Sequence, residues 1–220
     1  GTKMFVVGVT GLDVNEYTLG TGFDVSTASF VDSFSIAAQD TAPRGLAFNP
    51  TGTKMFVTGS TNDNVNEYTL STGFDVSTAS FSTSASVVEQ EETLPNDLAF
   101  NPTGTKMFVI GNTRNEVNKY TLSTGFDVST ASFVDSFNVS AQDLTPFGLA
   151  FNPAGTKMFM VGFTGDDVHE YTLVSNHLIS NSSKDTLGNI TIQHAGPLFT
   201  TTLLNSTTTF PASCGWSVTC

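Results

Sequence analysis

Short apolar stretches separated by polar turns fill the first three quarters of the chain, and none has helical periodicity. In one such region, residues 98–100 form a short apolar run. Residues 106–110 are apolar on both alternating faces, as in a strand buried between two layers. Residues 117–122 alternate in part, and residues 131–139 place phenylalanine and valine on one face among more polar neighbours. The pattern predicts four short strands, the innermost the most apolar and the outermost the most polar.

This four-strand pattern belongs to a unit of about 51 residues that occurs four times, a period typical of stacked supersecondary units. The pentapeptide GTKMF opens the four units at Gly1, Gly52, Gly104 and Gly155. Residues 68–81 are identical to residues 120–133. The sequence therefore predicts a repeat domain over residues 1–173 and a non-repeat, Ser/Thr/Asn-rich segment over residues 174–220.

One motif within each unit carries a family resemblance. It reads PRGLAFNPTGTKMFV from Pro43 to Val57 and PFGLAFNPAGTKMF from Pro146 to Phe159. These units resemble the YVTN/NHL class of β-propeller repeats. The resemblance implies an all-β propeller of about four four-stranded antiparallel blades, or part of a larger propeller, followed by a tail. Members of the class include enzymes, carbohydrate binders and surface proteins.

Closure of the propeller is left open by the sequence. The first unit lacks its inner strand and the last loses its outer one, and the tail segments 189–193 and 199–204 have strand composition. These segments are predicted to complete a sheet, either in the chain's own first blade or in an adjacent copy. The chain begins inside a unit, so we interpret it as a fragment or processed product. Further repeats upstream would then make the visible chain an open arc.

Charge and hydropathy exclude two classes of partner. Twenty acidic residues against eight Lys and Arg give a net charge of −12, which argues against binding nucleic acid or anionic lipid. Apolar runs of about six residues are too short for a membrane span. We therefore expect neither a nucleic-acid partner nor membrane insertion.

The loops between strands two and three, and the connections between blades, differ from copy to copy, whereas the opposite turns are nearly invariant. Variation confined to one face predicts a surface for a ligand or partner, because binding residues concentrate on loops held by rigid scaffolds. Drift in turns that tolerate substitution is the alternative. The candidate residues on this face are Asp13, Arg44, Asp63, Asn64, Asp97, Arg114, Glu116, Asp166 and Asp167.

Catalytic signatures are missing from the sequence: it has no H-E-x-x-H, C-x-x-C or G-x-S-x-G motif. His169 takes a strand position that is asparagine in the other units, which favours a surface polar role. Glu16, Glu67 and Glu170 recur by repeat, with Lys119 in the third unit, and are interpreted as solvated strand positions. The sequence thus predicts no catalytic residue and a protein that is not an enzyme.

No cofactor is predicted, with calcium as the alternative. Asp63 between Asn62 and Asn64, or Asp166 beside Asp167, offers the oxygen donors that Ca²⁺ prefers. Neither cluster has the spacing of a known calcium loop, and such residues are common in turns. No metal ligand is assigned.

The C-terminal segment indicates an extracellular or cell-surface location. Cys214 and Cys220 are spaced to permit a disulfide, which forms in oxidising compartments. Four sequons predict N-glycosylation sites at Asn138, Asn181, Asn189 and Asn205.

These features favour a non-enzymatic, secreted or cell-surface propeller with a structural, adhesive or assembly role in a fibril or appendage. Its partner would be a protein or glycan at a surface, or further copies joined as a homo-oligomer or filament through residues 174–220. The alternative, implied by the family resemblance, is a propeller enzyme of lactonase or hydrolase type with a cation bound in its channel.

Overall fold

The predicted strands are present as antiparallel ladders between sequence neighbours. The computed structural model describes residues 1–86, 94–173, 190–193 and 200–203, and the chain divides into the units Gly1–Leu173 and Val174–Cys220. The strands of the first unit are β1 (Lys3–Gly8), β2 (Asp13–Leu19), β3 (Ala28–Ser35), β4 (Pro43–Phe48), β5 (Lys54–Gly59), β6 (Asn64–Leu70), β7 (Ala79–Ser86), β8 (Pro95–Phe100), β9 (Lys106–Gly111), β10 (Glu116–Leu122), β11 (Ala131–Asn138), β12 (Pro146–Phe151), β13 (Lys157–Gly162) and β14 (Val168–Thr172).

These strands form four sheets in chain order, which we call blades one to four. Blade two (β4–β7) and blade three (β8–β11) have four strands each, whereas blade one (β1–β3) and blade four (β12–β14) have three. Each blade is a meander in which every strand pairs with the next. The all-β propeller architecture is therefore confirmed. The described blades include two complete copies, one without an inner strand and one without an outer strand.

The unit Val174–Cys220 contains β15 (Ile190–Gln193) and β16 (Thr200–Leu203), which pair antiparallel with Ile190 opposite Leu203. The strand composition of these two segments is thus confirmed. Their pairing with a blade stays a prediction. The sequons at Asn181, Asn189 and Asn205 and the cysteines Cys214 and Cys220 lie outside the described residues.

Helix is nearly missing from the described part of the chain. Its helices are three-residue 3₁₀ turns, such as Val76–Thr78, and none has the length or apolar character of a membrane-spanning helix. The side chain of Asp75 caps this turn by accepting the N–H of Ser77 at 3.1 Å. The capping aspartate explains why the sequence D-V-S-T recurs unchanged in three units.

The hydrophobic core lies between blades and not within one blade. Between blades one and two, Val14 and Ile36 pack with Met55, Val57 and Tyr68. The next two junctions contain equivalent buried clusters. Because each sheet is thin, a single blade has too little interior to bury its apolar side chains, and stability depends on stacking neighbours.

Aromatic rings reinforce each junction. Phe74, on the turn after β6, lies 6.3 Å from the ring of Phe5 in the preceding blade and 5.6 Å from Phe48 in its own. Phe126 repeats this contact at the next junction, with Phe56 and Phe100. Phe74 and Phe126 adopt left-handed backbone angles, with φ of 59° and 58°, which a bulky residue rarely adopts. The packing of the ring across the junction offsets this strain.

A buried ion pair on blade two binds the following blade. This contact corrects the interpretation of the repeated glutamates. Glu67 is 2% exposed, and its carboxylate accepts from Lys54 Nζ at 2.7 Å and from the N–H of Val128 at 3.0 Å. Lys54 Nζ also donates to the carbonyl of Phe126 at 2.6 Å. We call this arrangement the Lys–Glu latch. The prediction of a solvated strand position is wrong here because the next blade covers the glutamate.

The same latch joins blades one and two. Glu16 is buried, pairs with Lys3 and accepts the N–H of Val76 at 3.0 Å. Lys3 Nζ donates to the carbonyl of Phe74 at 2.6 Å. Two junctions therefore use one set of contacts, with a Lys–Glu pair on one blade and the 3₁₀ turn on the next.

Replacing Glu67 by alanine should lower the free energy of unfolding by about 2 to 4 kcal/mol, because it leaves Lys54 without its counter-charge and the buried N–H of Val128 without its acceptor. Glu170→Ala is the matched control, since Glu170 forms the equivalent pair with Lys157 but both side chains are about half exposed. It should cost less than about 1 kcal/mol. Urea unfolding at sub-micromolar protein measures both, and equal losses would contradict the latch.

Candidate functional site

An open cleft of about 500 Å³ lies between β1 of blade one and the inner strands of the other three blades. Its apolar side comes from β1, the counterpart of the second strand of blades two and three, through Phe5 and Val7. The inner strands β4, β8 and β12 add the polar side and one further ring through Arg44, Asn96, Asp97 and Phe147. The cleft thus combines apolar walls with a small number of polar groups, as binding sites for small molecules do.

Repeat geometry explains why these side chains converge. Each inner strand reads Pro-x-x-Leu-Ala-Phe, so the two variable positions start adjacent strands at the same edge of the propeller. The first variable position is Arg44, Asn96 or Phe147. The second is glycine in blades two and four but Asp97 in blade three. At this second position, blade three therefore has a carboxylate where blades two and four have only the hydrogen atom of glycine.

Asp97 is held rigidly by backbone donors. Its Oδ1 accepts the N–H of Leu98 at 2.8 Å, and its Oδ2 accepts the N–H of Leu149 in the next blade at 2.9 Å. Burial raises the pKa of Asp97 above its ordinary value of 3.8, and this effect exceeds the lowering by the two backbone hydrogen bonds. The carboxylate is thus both fixed in position and more basic than a solvated aspartate.

Glycine at position 45 makes room for this carboxylate. A Cβ atom on Gly45 would lie 2.7 Å from Cα of Asp97 and 3.0 Å from its Oδ1. The N–H of Gly45 is also fixed, because it donates to Oγ1 of Thr58 at 2.9 Å. The small residue in blade two and the aspartate in blade three therefore form one local arrangement.

Arg44 places a cation beside Asp97 on the same cleft. Its Nε donates to Oγ of Ser60 at 3.2 Å, and its guanidinium carbon lies 5.9 Å from the ring centroid of Phe147. A cation over a ring face is stabilised by the ring quadrupole. The exposed guanidinium is therefore oriented by two contacts and keeps donors for an anionic group.

Asn96 lines the cleft with a fixed amide. The residue is buried, and its Nδ2 donates to the carbonyl of Pro146 at 2.7 Å, which fixes the orientation of the amide. Among the described residues its Oδ1 has no hydrogen-bond partner. A buried acceptor without a donor is costly, and this oxygen is shielded from solvent.

The remaining candidates from the variable face lie along the same edge of the blades, on the loops between second and third strands. Asp13, Asn64 and Glu116 begin β2, β6 and β10. Asp63 and Asp166 occupy left-handed positions, with φ of 52° and 54°. Aspartate tolerates this conformation better than most residues, which gives these two a conformational role in the turn. Arg114 and Asp167 belong to the same loops. The structure thus brings Arg44 and Asp97 into the cleft, and the other candidates are not among the residues that line it.

Two buried carboxylates that the sequence did not single out support these loops. Asp40 accepts the N–H of Ala42 at 2.6 Å and those of Thr61 and Asn62 at 3.3 Å. Asp143 accepts three backbone N–H groups in the equivalent loop of blade four. Burial raises the pKa of Asp143, but these N–H groups and the nearby His169 together hold it below its ordinary value. Each carboxylate therefore ties a blade connection to the loop beside it.

The position of His169 is not a surface position. Its counterparts Asn66 and Asn118 are buried, and His169 itself is half-buried, with no described partner for Nε2. The prediction of a surface polar position is wrong for the repeat, because blades two and three pack against neighbours through both faces and bury these asparagines. At the Asn138 sequon, which is exposed, Nδ2 donates to the carbonyl of Arg114 at 3.0 Å.

A divalent cation does not fit the residues that are present. The cleft offers one carboxylate, Asp97, with the cation Arg44 beside it. Across the described ranges, no three His, Cys, Asp or Glu side chains are grouped so that they could hold a metal ion. Hard divalent cations need several oxygen donors. We therefore derive no chemistry through a channel-bound cation. Calcium at the Asp63 or Asp166 loop stays a prediction.

No family model and no curated protein matches the sequence. Solved structures do match the fold. A protein of Lactobacillus plantarum is 14% identical, with a TM-score of 0.56, over 77% of this chain and 48% of its own length. A candidate 6-phosphogluconolactonase of Bacteroides fragilis is 11% identical, with a TM-score of 0.55, over 78% and 48%. A periplasmic gluconolactonase of Pseudomonas aeruginosa is 15% identical, with a TM-score of 0.52, over 78% and 47%.

These matches establish a β-propeller fold, and the chain spans about half the length of the structures it matches. They also correct the prediction that the chain is not an enzyme. That prediction rested on missing catalytic motifs, whereas two of the matching propellers are named as lactonases. The lack of a known motif is therefore no ground for excluding hydrolysis on this scaffold.

Gly59→Ala should lower the free energy of unfolding by about 1 to 3 kcal/mol, because overpacked sites force backbone shifts. Its new Cβ would meet the buried carboxylate of Asp40 at 2.2 Å. Gly8→Ala is the matched control, since Gly8 is the same repeat position in blade one and has nothing within 4 Å of an added Cβ. Chemical unfolding of both variants measures the difference. An equal change would show that Asp40 does not fix the loop.

Proposed function

We propose that this chain forms the substrate-binding part of a propeller hydrolase that opens a sugar lactone. The observation that carries the proposal is Asp97, a fixed carboxylate of raised pKa at the inner edge of the blades, with Arg44 and Asn96 on the same cleft. A general base is most effective when its pKa lies nearer the working pH. We also propose that the blades belong to the YVTN/NHL class of repeats.

In the proposed reaction, Asp97 removes a proton from a water molecule as the water oxygen attacks the lactone carbonyl carbon. The ring C–O bond then breaks, and the ring oxygen leaves as a hydroxyl group by taking up the proton that Asp97 removed from the water. The product is the open-chain hydroxy acid. The N–H groups of Leu98 and Leu149 occupy one lone pair on each Asp97 oxygen and leave the others for the water.

The rest of the cleft suits a polyhydroxylated ring. The guanidinium of Arg44 would bind an anionic substituent or the product carboxylate. Asn96 would help to position the neighbouring strand through its hydrogen bond to the carbonyl of Pro146. The rings of Phe5 and Phe147 would contact the C–H faces of the sugar. Each of these roles is assigned to a side chain of the described residues.

The names of two matching propellers support the lactone as substrate class. Because the chain spans about half of those structures, the activity of a whole protein is part of the proposal. We also propose a location outside the cytoplasm, since one of the two is named as periplasmic. No observation on the described residues favours the adhesive role.

Purified chain should hydrolyse glucono-δ-lactone faster than the buffer does, measured as acid release in a pH-stat with the spontaneous rate subtracted. Asp97→Asn should lower kcat at least about 100-fold, as expected for loss of a general base. Asp135→Asn, on the outer strand β11, should leave the rate unchanged. A wild-type rate equal to background, or an active Asp97→Asn, would overturn the proposal.

The pH profile and the charge of the substrate give a second test. Because the pKa of Asp97 lies above 3.8, kcat/KM should fall as the pH is lowered through that raised pKa, where the base becomes protonated. Arg44→Gln should raise KM for the 6-phosphate of the lactone about tenfold or more, with a smaller effect on the uncharged lactone. Equal changes in KM for both substrates would remove Arg44 from anion binding.

A further inference from the structure

Blade two departs from the other blades where its inner strand begins, next to the carboxylate of Asp97. In blades three and four, the second variable position of the inner strand is paired with the second strand, as Asp97–Ile110 and Gly148–Val161. In blade two the pairing resumes one residue later, with Leu46 opposite Val57. Gly45 is therefore left out of the strand pairing in blade two.

The hydroxyl group of Thr58 accepts the hydrogen bond of this unpaired residue. The N–H of Gly45 donates to Thr58 Oγ1 at 2.9 Å, and Thr58 is fully buried. The other three blades have an apolar residue at this repeat position, namely Val7, Ile110 and Val161. A hydroxyl group is therefore present in the blade where the strand pairing is irregular. An apolar side chain there would leave a buried N–H without an acceptor.

Gly45 lies between this hydroxyl group and Asp97. A Cβ atom on residue 45 would lie 2.7 Å from Thr58 Oγ1 and 2.7 Å from Cα of Asp97. The backbone of Gly45 therefore fills the space between the second strand of its own blade and the inner strand of blade three. Because Thr58 fixes Gly45, a displacement of this backbone would change the surroundings of the Asp97 carboxylate.

The same irregular stretch orients Arg44, the residue before Gly45. Arg44 Nε donates to Ser60 Oγ at 3.2 Å, and Ser60 lies two residues after Thr58. The N–H of Ser60 in turn donates to the carbonyl of Ala42 at 3.1 Å. Two hydroxyl side chains thus connect the start of β4 to the end of β5, where the backbone pairing is interrupted.

We propose that Thr58 is a positioning residue of the cleft, an inference that rests on the proposed hydrolase function. Its hydroxyl group holds the start of β4 in the irregular conformation. This conformation leaves room for the general base Asp97 and directs Arg44 across the cleft towards Phe147. Because Thr58 is fully buried, it does not contact the substrate and acts through Gly45.

A purely structural role for Thr58 is the alternative. The repeat itself argues against it, because Ile110 is fully buried at the same position in blade three. Burial at this position therefore does not require a hydroxyl group. The threonine occurs in the blade whose inner strand packs against Asp97, which favours a role in the site.

Thr58→Val tests the proposal, because it removes the hydroxyl group and keeps the size of the side chain. Hydrogen exchange at the N–H of Gly45 should become about fivefold faster or more, since this N–H loses its acceptor. The pKa of Asp97 should move towards its ordinary value of 3.8, because a looser backbone admits water. Nuclear magnetic resonance measures both quantities on the full chain without substrate.

Kinetics on glucono-δ-lactone give the functional arm of the test. In Thr58→Val, kcat should fall about tenfold or more with a smaller change in KM, as expected for a misplaced base. Thr58→Ser keeps the hydroxyl group and should restore slow exchange at Gly45 and a rate close to that of wild type. Val76→Ala is the control for lost stability, because Val76 is equally buried but lies on the 3₁₀ turn before β7. It should leave kcat and the pKa of Asp97 unchanged.

The two arms separate this inference from the proposed function. A wild-type chain that does not hydrolyse the lactone would overturn the function, and the resonance measurements would still decide whether Thr58 positions Asp97. Unchanged exchange at Gly45 or an unchanged pKa of Asp97 in Thr58→Val would overturn the positioning role, even in an active enzyme. An equal loss of kcat in Val76→Ala, or no recovery in Thr58→Ser, would overturn it as well.

Discussion

The junction between neighbouring blades is the constraint on which this structure depends. A meander of four short strands has two faces and almost no interior, so its apolar side chains are buried only when another blade covers them. Val76 and Val128 illustrate this, since both are fully buried by the blade before them while Val25 is not. The buried core and the position of the cleft both follow from this stacking.

The Lys–Glu latch adds direction to a contact that hydrophobic burial alone would leave unspecific. Burying Glu67 is unfavourable unless its oxygens are satisfied, and Lys54 together with the N–H of Val128 provides that. Because the donors come from a turn of fixed shape, the next blade can be seated in one register. The Lys–Glu latch thus favours one arrangement of neighbouring blades, because the buried charge is satisfied only in that arrangement.

The same stacking produces the candidate site. Adjacent inner strands start at one edge, so a side chain at a given repeat position in one blade lies next to its counterparts in the others. Repetition makes most of this lining uniform, and Asp97, Arg44 and Phe147 are departures from that uniformity. Gly45 leaves the space that Asp97 occupies. The chemistry of the cleft therefore arises where the copies differ, on a frame that they share.

The sequence by itself determined the strands, their order in each blade and the edge on which the variable residues lie, because period-two patterning and the repeat are local properties. It also marked Arg44 and Asp97 as candidates. Tertiary structure alone decided that Glu16 and Glu67 are buried and that Asn96 has an unused acceptor, because burial and partners depend on the neighbouring blade. The sequence pattern of one repeat unit carries no information about the neighbouring blade. The raised pKa of Asp97 depends on that blade as well.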